Sequence, residues 1–357
     1  MLNRLSKTFF LFYTITFASY SYSFTDSGLE IFSAGDMLYD HGYTKNSGAE
    51  NKLRMRSAEL SLFSPIDHVY DGSIGLAAHD ENGEVLFELH ELTVSSSKLI
   101  PRTNFKFGKY FLGVGRLNRF HQHDWPFTKA PMVHKEFFGD EGVLDTGIEA
   151  NFLIPVESSI ELTLGTTSGY TYGHSHTAGE KPKTPTHYAR LSSFFPFSSV
   201  NGTQIGLNYF SRTDADEIQM TLFGMDGILK IREGKHAKHL FQTEMWARLI
   251  ESPESEFGRQ VGMYLFYDYY LGGSSFLGFR LDGFKDTTRR NPLNSKLVNN
   301  VNYKALTQVT YKSSEFASYR VSLSRELDIE EGSVLTEKSI LELQSTFILG
   351  SHPAHEF

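Results

Sequence analysis

Two pairs of histidines are the residues of this chain whose type and spacing suggest chemistry. His121 and His123 stand two residues apart, and His174 and His176 repeat that spacing further along the chain. In an extended segment, residues two apart point to the same side, so each pair can offer two imidazole nitrogens to one Zn²⁺ or Cu²⁺. Asp124 or Glu136 is placed to accept a hydrogen bond from a ligating ring. The pairs predict a four-nitrogen metal site, and the alternative is that the rings hydrogen-bond to loop backbone.

Charged side chains form a second set with a chemical interpretation. They recur at alternate positions of segments whose other positions are apolar, which places them on one face of a strand. If that face borders water, cations on it raise the local potential and favour anionic solutes. The alternative is a mixed polar lining with little selectivity. The predicted lining residues are Arg190, Arg212, Arg232, Arg248, Arg280, Arg320, Glu149 and Glu244.

The segments that carry these residues have the pattern of β-strands. Stretches of about ten residues, such as 260–271 and 341–349, alternate apolar and polar side chains and are separated by turn residues. About sixteen such strands, within a range of roughly 14 to 18, account for the chain. One apolar face per strand predicts an all-β fold, a transmembrane antiparallel β-barrel with a water-filled lumen. A soluble all-β fold has the same period and is the alternative.

The amino-terminal residues have the composition of an export signal. Arg4 and Lys7 precede a short apolar run that ends in small residues near Ser23. We predict a signal peptide at 1–23 and a single barrel domain at 24–357, with an uncleaved anchor helix as the alternative. Aromatic residues make up 14% of the chain and cysteine is absent, as expected for a barrel that crosses the periplasm. The net charge of -8 without a basic stripe argues against a nucleic-acid partner.

The longest connection between predicted strands is the segment 113–145. Outer loops of barrels are long and periplasmic turns are short, and on this basis 169–184, 285–301 and 327–336 are also predicted outer loops. Exposed Trp and Phe side chains would lose the burial that justifies ordering them, so we expect the 113–145 loop to fold into the barrel. Its predicted constriction residues are Arg116, Arg119, His121, His123, Asp124, Trp125 and His134.

Three motifs carry a resemblance to a known family. They are residues 115–127, the run 137–142 that leads to Asp145 and Gly147, and the terminal segment 350–355. They resemble Gram-negative outer-membrane proteins similar to sixteen-stranded porins, including phosphate-selective ones, and some relatives are labelled zinc-regulated or TonB-dependent receptors. The resemblance implies an outer-membrane location and a third loop that narrows the pore. A TonB-dependent transporter needs about twenty-two strands and a plug domain, for which this chain has no room.

The leading functional hypothesis is an outer-membrane channel for passive diffusion of small hydrophilic solutes, with a preference for anions and no required cofactor. The alternative is an outer-membrane protein that binds or takes up zinc through the two histidine pairs. A barrel with a plugged lumen and a structural or adhesive role is a third hypothesis. An enzyme is disfavoured because no Ser/His pair has a distinctive spacing. The expected partners are outer-membrane lipid, lipopolysaccharide and small solutes, and a homotrimer is the candidate assembly.

Overall fold

Alternating apolar and polar residues form sixteen β-strands in the computed structural model, and the strands close into one antiparallel barrel. The closed barrel and the predicted strand number are thereby confirmed. No helix in the described part of the chain is long and apolar enough to cross a membrane. The structure describes residues 28–45, 47–81, 84–156, 159–171, 180–234, 236–252, 255–287 and 298–350. The predicted signal peptide at 1–23 lies outside these residues.

The strands follow one another around the barrel in chain order. Their bounds are β1 Glu30–Thr44, β2 Gly48–Pro65, β3 Asp71–Glu81, β4 Glu84–Ile100, β5 Thr103–Phe111, β6 Leu144–Ile154, β7 Ser159–Thr167, β8 Thr184–Pro196, β9 Gly202–Thr213, β10 Gln219–Glu233, β11 His236–Ser252, β12 Ser255–Gly272, β13 Ser275–Asp286, β14 Asn300–Ser314, β15 Ala317–Glu330 and β16 Ser333–Gly350. The connections after β5, β7 and β13 are the long ones, and all three lie at the same end of the barrel. We call this the long-loop end.

The first and last strands pair with each other and close the barrel. Phe32 of β1 lies opposite Gly350 of β16, and the ladder continues to Thr44 opposite Lys338. Every strand therefore has a hydrogen-bonded neighbour on both sides. A closed sheet has no edge, so its backbone polar groups are satisfied without water, as a lipid environment requires.

The two faces of the barrel differ in polarity. On β14, Gln308 and Thr310 point inward and are buried, whereas Thr307 and Val309 point outward and are exposed. Large apolar side chains on other strands are likewise about half exposed on the outer surface; they include Leu207, Leu265, Leu281 and Leu323. This pattern is the reverse of that in a soluble protein, and it fits a band of apolar residues that faces lipid.

The connection between β15 and β16 is much shorter than predicted. β15 continues to Glu330 and β16 begins at Ser333, so the prediction of a long loop at 327–336 is wrong. Acidic residues are typical of solvated loops, but here they sit at strand ends with partners. The Asp328 carboxylate accepts a hydrogen bond from Asn300 Nδ2 at 2.6 Å, and Glu331 accepts one from the Asn299 N–H at 2.7 Å. Both strands therefore continue through most of the residues that were expected to form the loop.

The connection between β5 and β6, residues 112–143, folds into the barrel, and we call it the lumen loop. It contains two single-turn 3-10 helices, Leu117–Arg119 and Gln122–Asp124. These are followed by a short helix, α1 Met132–Phe138, which stops at Gly139 with φ of 88°. The lumen loop and the facing wall share one hydrophobic core, whose largest members are Trp125, Phe127, Phe137, Phe138, Phe210, Trp246, Tyr264, Phe266 and Phe284.

Candidate functional site

Aromatic side chains pack the lumen loop against one side of the wall. Phe127 makes edge-to-face contacts with Tyr264 and Phe266 of β12, at centroid distances of 5.7 and 5.3 Å. Phe138 meets Trp246 of β11 in the same geometry at 4.9 Å. These five rings are at most 2% exposed. Burying one such side chain contributes roughly 1.5–3 kcal/mol, so this half of the lumen is a dry core, which the polar strand pattern did not predict.

Wall carboxylates hold the first part of the lumen loop through its N–H groups. Gly113 N–H donates to Glu149 Oε2 at 3.0 Å, and Leu117 N–H donates to Glu244 Oε1 at 2.7 Å. At Gly115, where φ is 61°, a Cβ atom would lie 2.6 Å from Glu244 Oε2. Both the backbone conformation and the close approach therefore require glycine at this position.

The middle of the lumen loop is held through its carbonyl oxygens instead. The accepting carbonyls belong to Trp125, Pro126, Thr128 and Lys129, and the donors are Arg320, Gln308, Arg56 and Arg280, in that order. Because buried backbone groups need partners, these contacts fix the path of the loop across the lumen. Arg280 and Arg320 were predicted to line an open wall, and the structure places them on the loop backbone.

The other predicted lining residues lie on the lumen side of the barrel but are largely engaged with protein. Arg190 forms a buried two-point ion pair with Asp226, at 2.7 and 3.1 Å. Arg212 donates to a backbone carbonyl in the connection between β7 and β8, and Arg248 donates to a wall glutamine at 2.6 Å. Arg232 is exposed at the end of β10. Strand alternation identifies the face of each residue, whereas the partner on the wall depends on which strands lie beside one another in the barrel.

The predicted constriction residues divide into buried and accessible groups. The rings of Trp125 and His134 lie 5.2 Å apart in the loop core, and each residue is 1% exposed. Burial lowers the pKa of His134 to about 3, so this ring is neutral at neutral pH. Arg116 is buried and donates to a glutamine of β9 at 3.0 Å. Arg119 and Asp124 are only partly buried.

Water-accessible charges remain where the lumen loop faces β1, β2 and β15. Lys129 Nζ lies 2.5 Å from Asp40 Oδ1 and 2.9 Å from Glu342 Oε1. Arg54 Nη2 lies 3.4 Å from Asp40 Oδ2. The side chains of Lys129 and Glu326 are each 30% exposed, and that of Arg54 is 28% exposed. We call Asp40, Arg54, Lys129 and Glu326 the polar margin of the loop.

The predicted loop histidines share one carboxylate of the wall. His121 Nδ1 lies 2.7 Å from Glu59 Oε2, and His123 Nδ1 lies 3.2 Å from Glu59 Oε1. Burial opposes protonation of the His121 ring, but the Glu59 carboxylate outweighs it and raises the pKa of His121 to about 10. The three side chains can offer ligand atoms within 4.8 Å of one another. His174 and His176 lie outside the described residues.

A second histidine group lies beside the first one on the wall. It consists of His79 on β3, His90 and Glu88 on β4, and Glu141 of the lumen loop, and we call it the wall histidine cluster. The His90 ring stacks on His79 at 5.0 Å and on the loop histidine His121 at 5.9 Å. Sequence reasoning missed this cluster. The spacing of Glu88 and His90 was a signal, but a register shift between Gly75 and Leu76 sets how β3 faces β4.

Cations gather at the end of the lumen opposite the long loops. Lys230 and Arg232 lie near the end of β10, and Lys312 lies near the end of β14. Arg116, Arg232 and Lys312 are within electrostatic range of Lys230. Lys312 also interacts with the carboxylate of Asp268. We call Arg116, Lys230, Arg232 and Lys312 the cationic vestibule.

Known proteins share the architecture much more than the sequence. The anion-selective porin from Comamonas acidovorans superposes with a TM-score of 0.64 at 8% identity, covering 90% of this chain and 99% of the porin. The outer-membrane channel DcaP of Acinetobacter baumannii gives 0.63 at 8% identity, covering 91% and 98%. The trimer form of in-vitro folded OmpT from Vibrio cholerae gives 0.60 at 10% identity, covering 90% and 100%. The chain has the fold of an outer-membrane porin.

Sequence comparison identifies one distant relative of this porin-fold chain. No protein-family model matches it. A protein of Aquifex aeolicus (strain VF5), described as "Uncharacterized protein", is 22% identical over 365 residues, which cover 93% of this chain and 76% of the relative. These comparisons establish the fold of the chain and leave its activity to the residues inside the barrel.

Proposed function

We propose that the protein is a Gram-negative outer-membrane channel through which small hydrophilic solutes diffuse passively. The observation that carries this proposal is the closed barrel with an apolar outer surface, a polar inner wall and the lumen loop across it. Such a pore works by width and charge and needs no cofactor. Residues 1–23 serve as the export signal peptide, and outer-membrane lipid and lipopolysaccharide contact the apolar surface. The trimer form of OmpT supports a homotrimer as the assembly.

The proposed solute route follows the polar margin of the loop. The opposite half of the lumen holds aromatic rings that exclude water. Around Asp40 and Lys129 the side chains are charged and partly exposed, so they can exchange contacts with water and solutes. Because Lys129 also contacts Glu342, a wall residue of β16, movement of its side chain would change the width of this route.

The proposed preference for anions rests on the cationic vestibule. Some lumen cations near the loop are paired with carboxylates, as Arg190 is with Asp226. In the vestibule, four cations lie at one end of the lumen, within electrostatic range of the carboxylates of Asp226 and Asp268. Their summed potential raises the local concentration of anions and opposes cations.

Planar-bilayer recordings of folded, full-length protein test both statements, with EDTA present throughout. We expect stepwise conductance and, in a KCl gradient, a reversal potential of the sign for chloride preference. Replacing Lys230 and Lys312 together by Glu should reduce or invert that potential. Lys183→Glu is the control, because Lys183 pairs with Glu217 at an exposed site near the long-loop end. A folded protein without conductance contradicts the channel and favours a plugged barrel, and an unchanged potential in the double variant contradicts anion preference.

The second candidate function is zinc binding or uptake through the loop histidines. The observation that favours it is that Glu59 brings His121 and His123 together on the lumen side of β2. In this hypothesis, His174 and His176 of the next predicted outer loop supply the other two nitrogens of the four-nitrogen site. Micromolar zinc should then block the current or change its selectivity, and His121→Ala combined with His123→Ala should abolish the effect. A current that zinc does not change contradicts this second function and leaves the passive channel as the remaining hypothesis.

A further inference from the structure

We propose that the wall histidine cluster binds a divalent transition-metal ion of the Zn²⁺ type. Nε2 of His79, Nε2 of His90 and a carboxylate oxygen of Glu88 are the ligand atoms, and Glu141 orients the His79 ring. The site shares no residue with the loop-histidine hypothesis, and it does not depend on the channel function.

The three ligand atoms have separations that suit a tetrahedral ion. His79 Nε2 lies 3.0 Å from His90 Nε2. Glu88 Oε1 lies 3.2 Å from the first nitrogen and 2.9 Å from the second. Metal bonds of about 2.0–2.1 Å at tetrahedral angles place ligand atoms about 3.3 Å apart. A small widening of this triangle makes it one face of a coordination tetrahedron, with the fourth position open to water.

The other nitrogen of His79 determines which atom is free to bind a metal. His79 Nδ1 lies 3.0 Å from the carbonyl oxygen of Arg56 and 3.4 Å from Glu141 Oε1. Both of these oxygens accept hydrogen bonds, so Nδ1 carries the hydrogen and the neutral ring has its lone pair on Nε2. Histidines that bind metals through Nε2 commonly donate Nδ1–H to a carbonyl or a carboxylate in this way.

Potential ligand atoms converge at the centre of the cluster. His79 Nε2 lies within hydrogen-bond distance of the Glu88 carboxylate, so a proton on this nitrogen donates to Glu88. A divalent ion at the centre takes the place of that proton. One proton bridges two of the three atoms, whereas a metal ion binds all three at once. His79 and His90 are 4% and 2% exposed, and electrostatic attraction to an ion is strengthened in such a buried place.

The ligands are held in position without an ion. The rings of His79 and His90 stack with an interplanar angle of 26°, and Phe111 contacts His90 edge-on at 6.0 Å. The two histidines lie on paired strands, so their backbones are fixed by the sheet. Glu141 belongs to the lumen loop, so an occupied site ties the end of that loop to the wall.

Binding of Co²⁺ to the folded, full-length protein in detergent micelles tests this site, because Co²⁺ occupies Zn²⁺ sites and its visible absorption reports the ligands. We expect one such ion per chain at the cluster, and loss of its signal in His79→Ala and in His90→Ala. Glu141→Gln should weaken binding by about 10- to 100-fold, the effect of removing an orienting carboxylate. If an alanine variant fails to fold, Glu88→Gln removes the ligand charge with little change of shape and should weaken binding by at least about tenfold.

Two control variants separate this site from other histidines. His239→Ala removes a ring that stacks on Tyr267 elsewhere on the wall, and it should leave the Co²⁺ signal unchanged. His121→Ala combined with His123→Ala removes the loop-histidine group, so the Co²⁺ that this variant still binds is assigned to the wall histidine cluster. Absence of a Co²⁺ signal in the wild type, which indicates a proton-sharing network only, overturns the proposal. So does a signal that survives both His79→Ala and His90→Ala. Conductance in EDTA is measured separately, so failure of this site and failure of the channel are distinguishable.

Discussion

The carboxylate of Glu244 accepts a hydrogen bond from the backbone N–H of Leu117 at 2.7 Å, so a residue of β11 fixes the first turn of the lumen loop. The same carboxylate accepts hydrogen bonds from Trp246 Nε1 at 3.0 Å and from the Tyr264 hydroxyl at 3.3 Å. One wall residue therefore holds the loop backbone and two rings of the dry core. The barrel and its loop form one hydrogen-bonded unit at this point.

Glu244→Ala should loosen the start of the lumen loop. The substitution leaves buried donors without acceptors, at a cost of about 1–3 kcal/mol for each. The backbone amides of residues 112–125 should then exchange hydrogen for deuterium faster, by the factor in the opening equilibrium that this loss of free energy produces. Glu233→Ala is the control, because Glu233 pairs with Lys238 at an exposed hairpin. Unchanged exchange in Glu244→Ala would mean that the loop is held by its aromatic packing alone.

Phe138→Ala should destabilise the loop core more strongly. Phe138 is fully buried against Trp246, and removing a buried Phe side chain costs about 3–5 kcal/mol because it leaves a cavity. We expect a lower temperature for loss of the folded band in a heat-modifiability gel and a higher single-channel conductance. Phe195→Ala removes an exposed ring and should change neither quantity. Equal effects of both substitutions would contradict the dry core.

Asp226→Asn should destabilise the barrel by about 3–5 kcal/mol, because it leaves the buried Arg190 guanidinium without its counter-charge. Urea unfolding monitored by tryptophan fluorescence measures this change. Combining Arg190→Met with Asp226→Leu removes both charges and should restore most of the stability. A double variant as unstable as the single one would show that shape, and not the lone charge, causes the loss.

The lumen loop should be released by acid through His134. A free imidazole has a pKa of about 6.5, whereas burial lowers that of His134 to about 3. Between these values the released loop binds a proton that the packed loop does not, so stability that is complete above pH 6.5 is lost as pH falls toward 3. In the described part of the chain, neither ring nitrogen of His134 has a hydrogen-bond partner.

His134→Leu should therefore move acid release of the loop to lower pH. Near-ultraviolet circular dichroism reports the packing of Trp125 against residue 134 and can be followed between pH 7 and pH 3. His187→Leu changes an exposed histidine of β8 and should keep the wild-type midpoint. An unchanged midpoint in His134→Leu would assign acid sensitivity to carboxylates of the wall.

Much of the fold was predictable because it depends on local pattern. Alternation such as that of residues 341–349 specifies which side chains face outward, and the number of such segments specifies the closed barrel. The face of Arg190 and Arg280 could also be read from alternation. The prediction of a long loop at 327–336 was wrong because acidic residues at the ends of extended strands have the same composition as a loop.

The contacts inside the lumen were not predictable in the same way. Asp226 and Arg190 are 36 residues apart, and Glu244 and Leu117 are 127 residues apart. No periodicity connects such pairs. The spacing of His121 and His123 identified them as a pair. Their contacts with Glu59 and with the neighbouring His79 and His90 depend on the path of the lumen loop, which the sequence does not show.

The sequence by itself determined a closed β-sheet with apolar groups outside and polar groups inside, because a two-residue period and the need to satisfy every backbone amide leave few other solutions. Only the tertiary structure decided what the inner polar groups do. The path of residues 112–143 across the lumen turns predicted pore-lining cations into loop anchors, leaves partly exposed ion pairs at the polar margin, and gathers histidines on one wall. That path follows from the simultaneous packing of the loop's aromatic rings against the neighbouring strands β8 to β13, and such packing is a property of three-dimensional contacts and not of order along the chain.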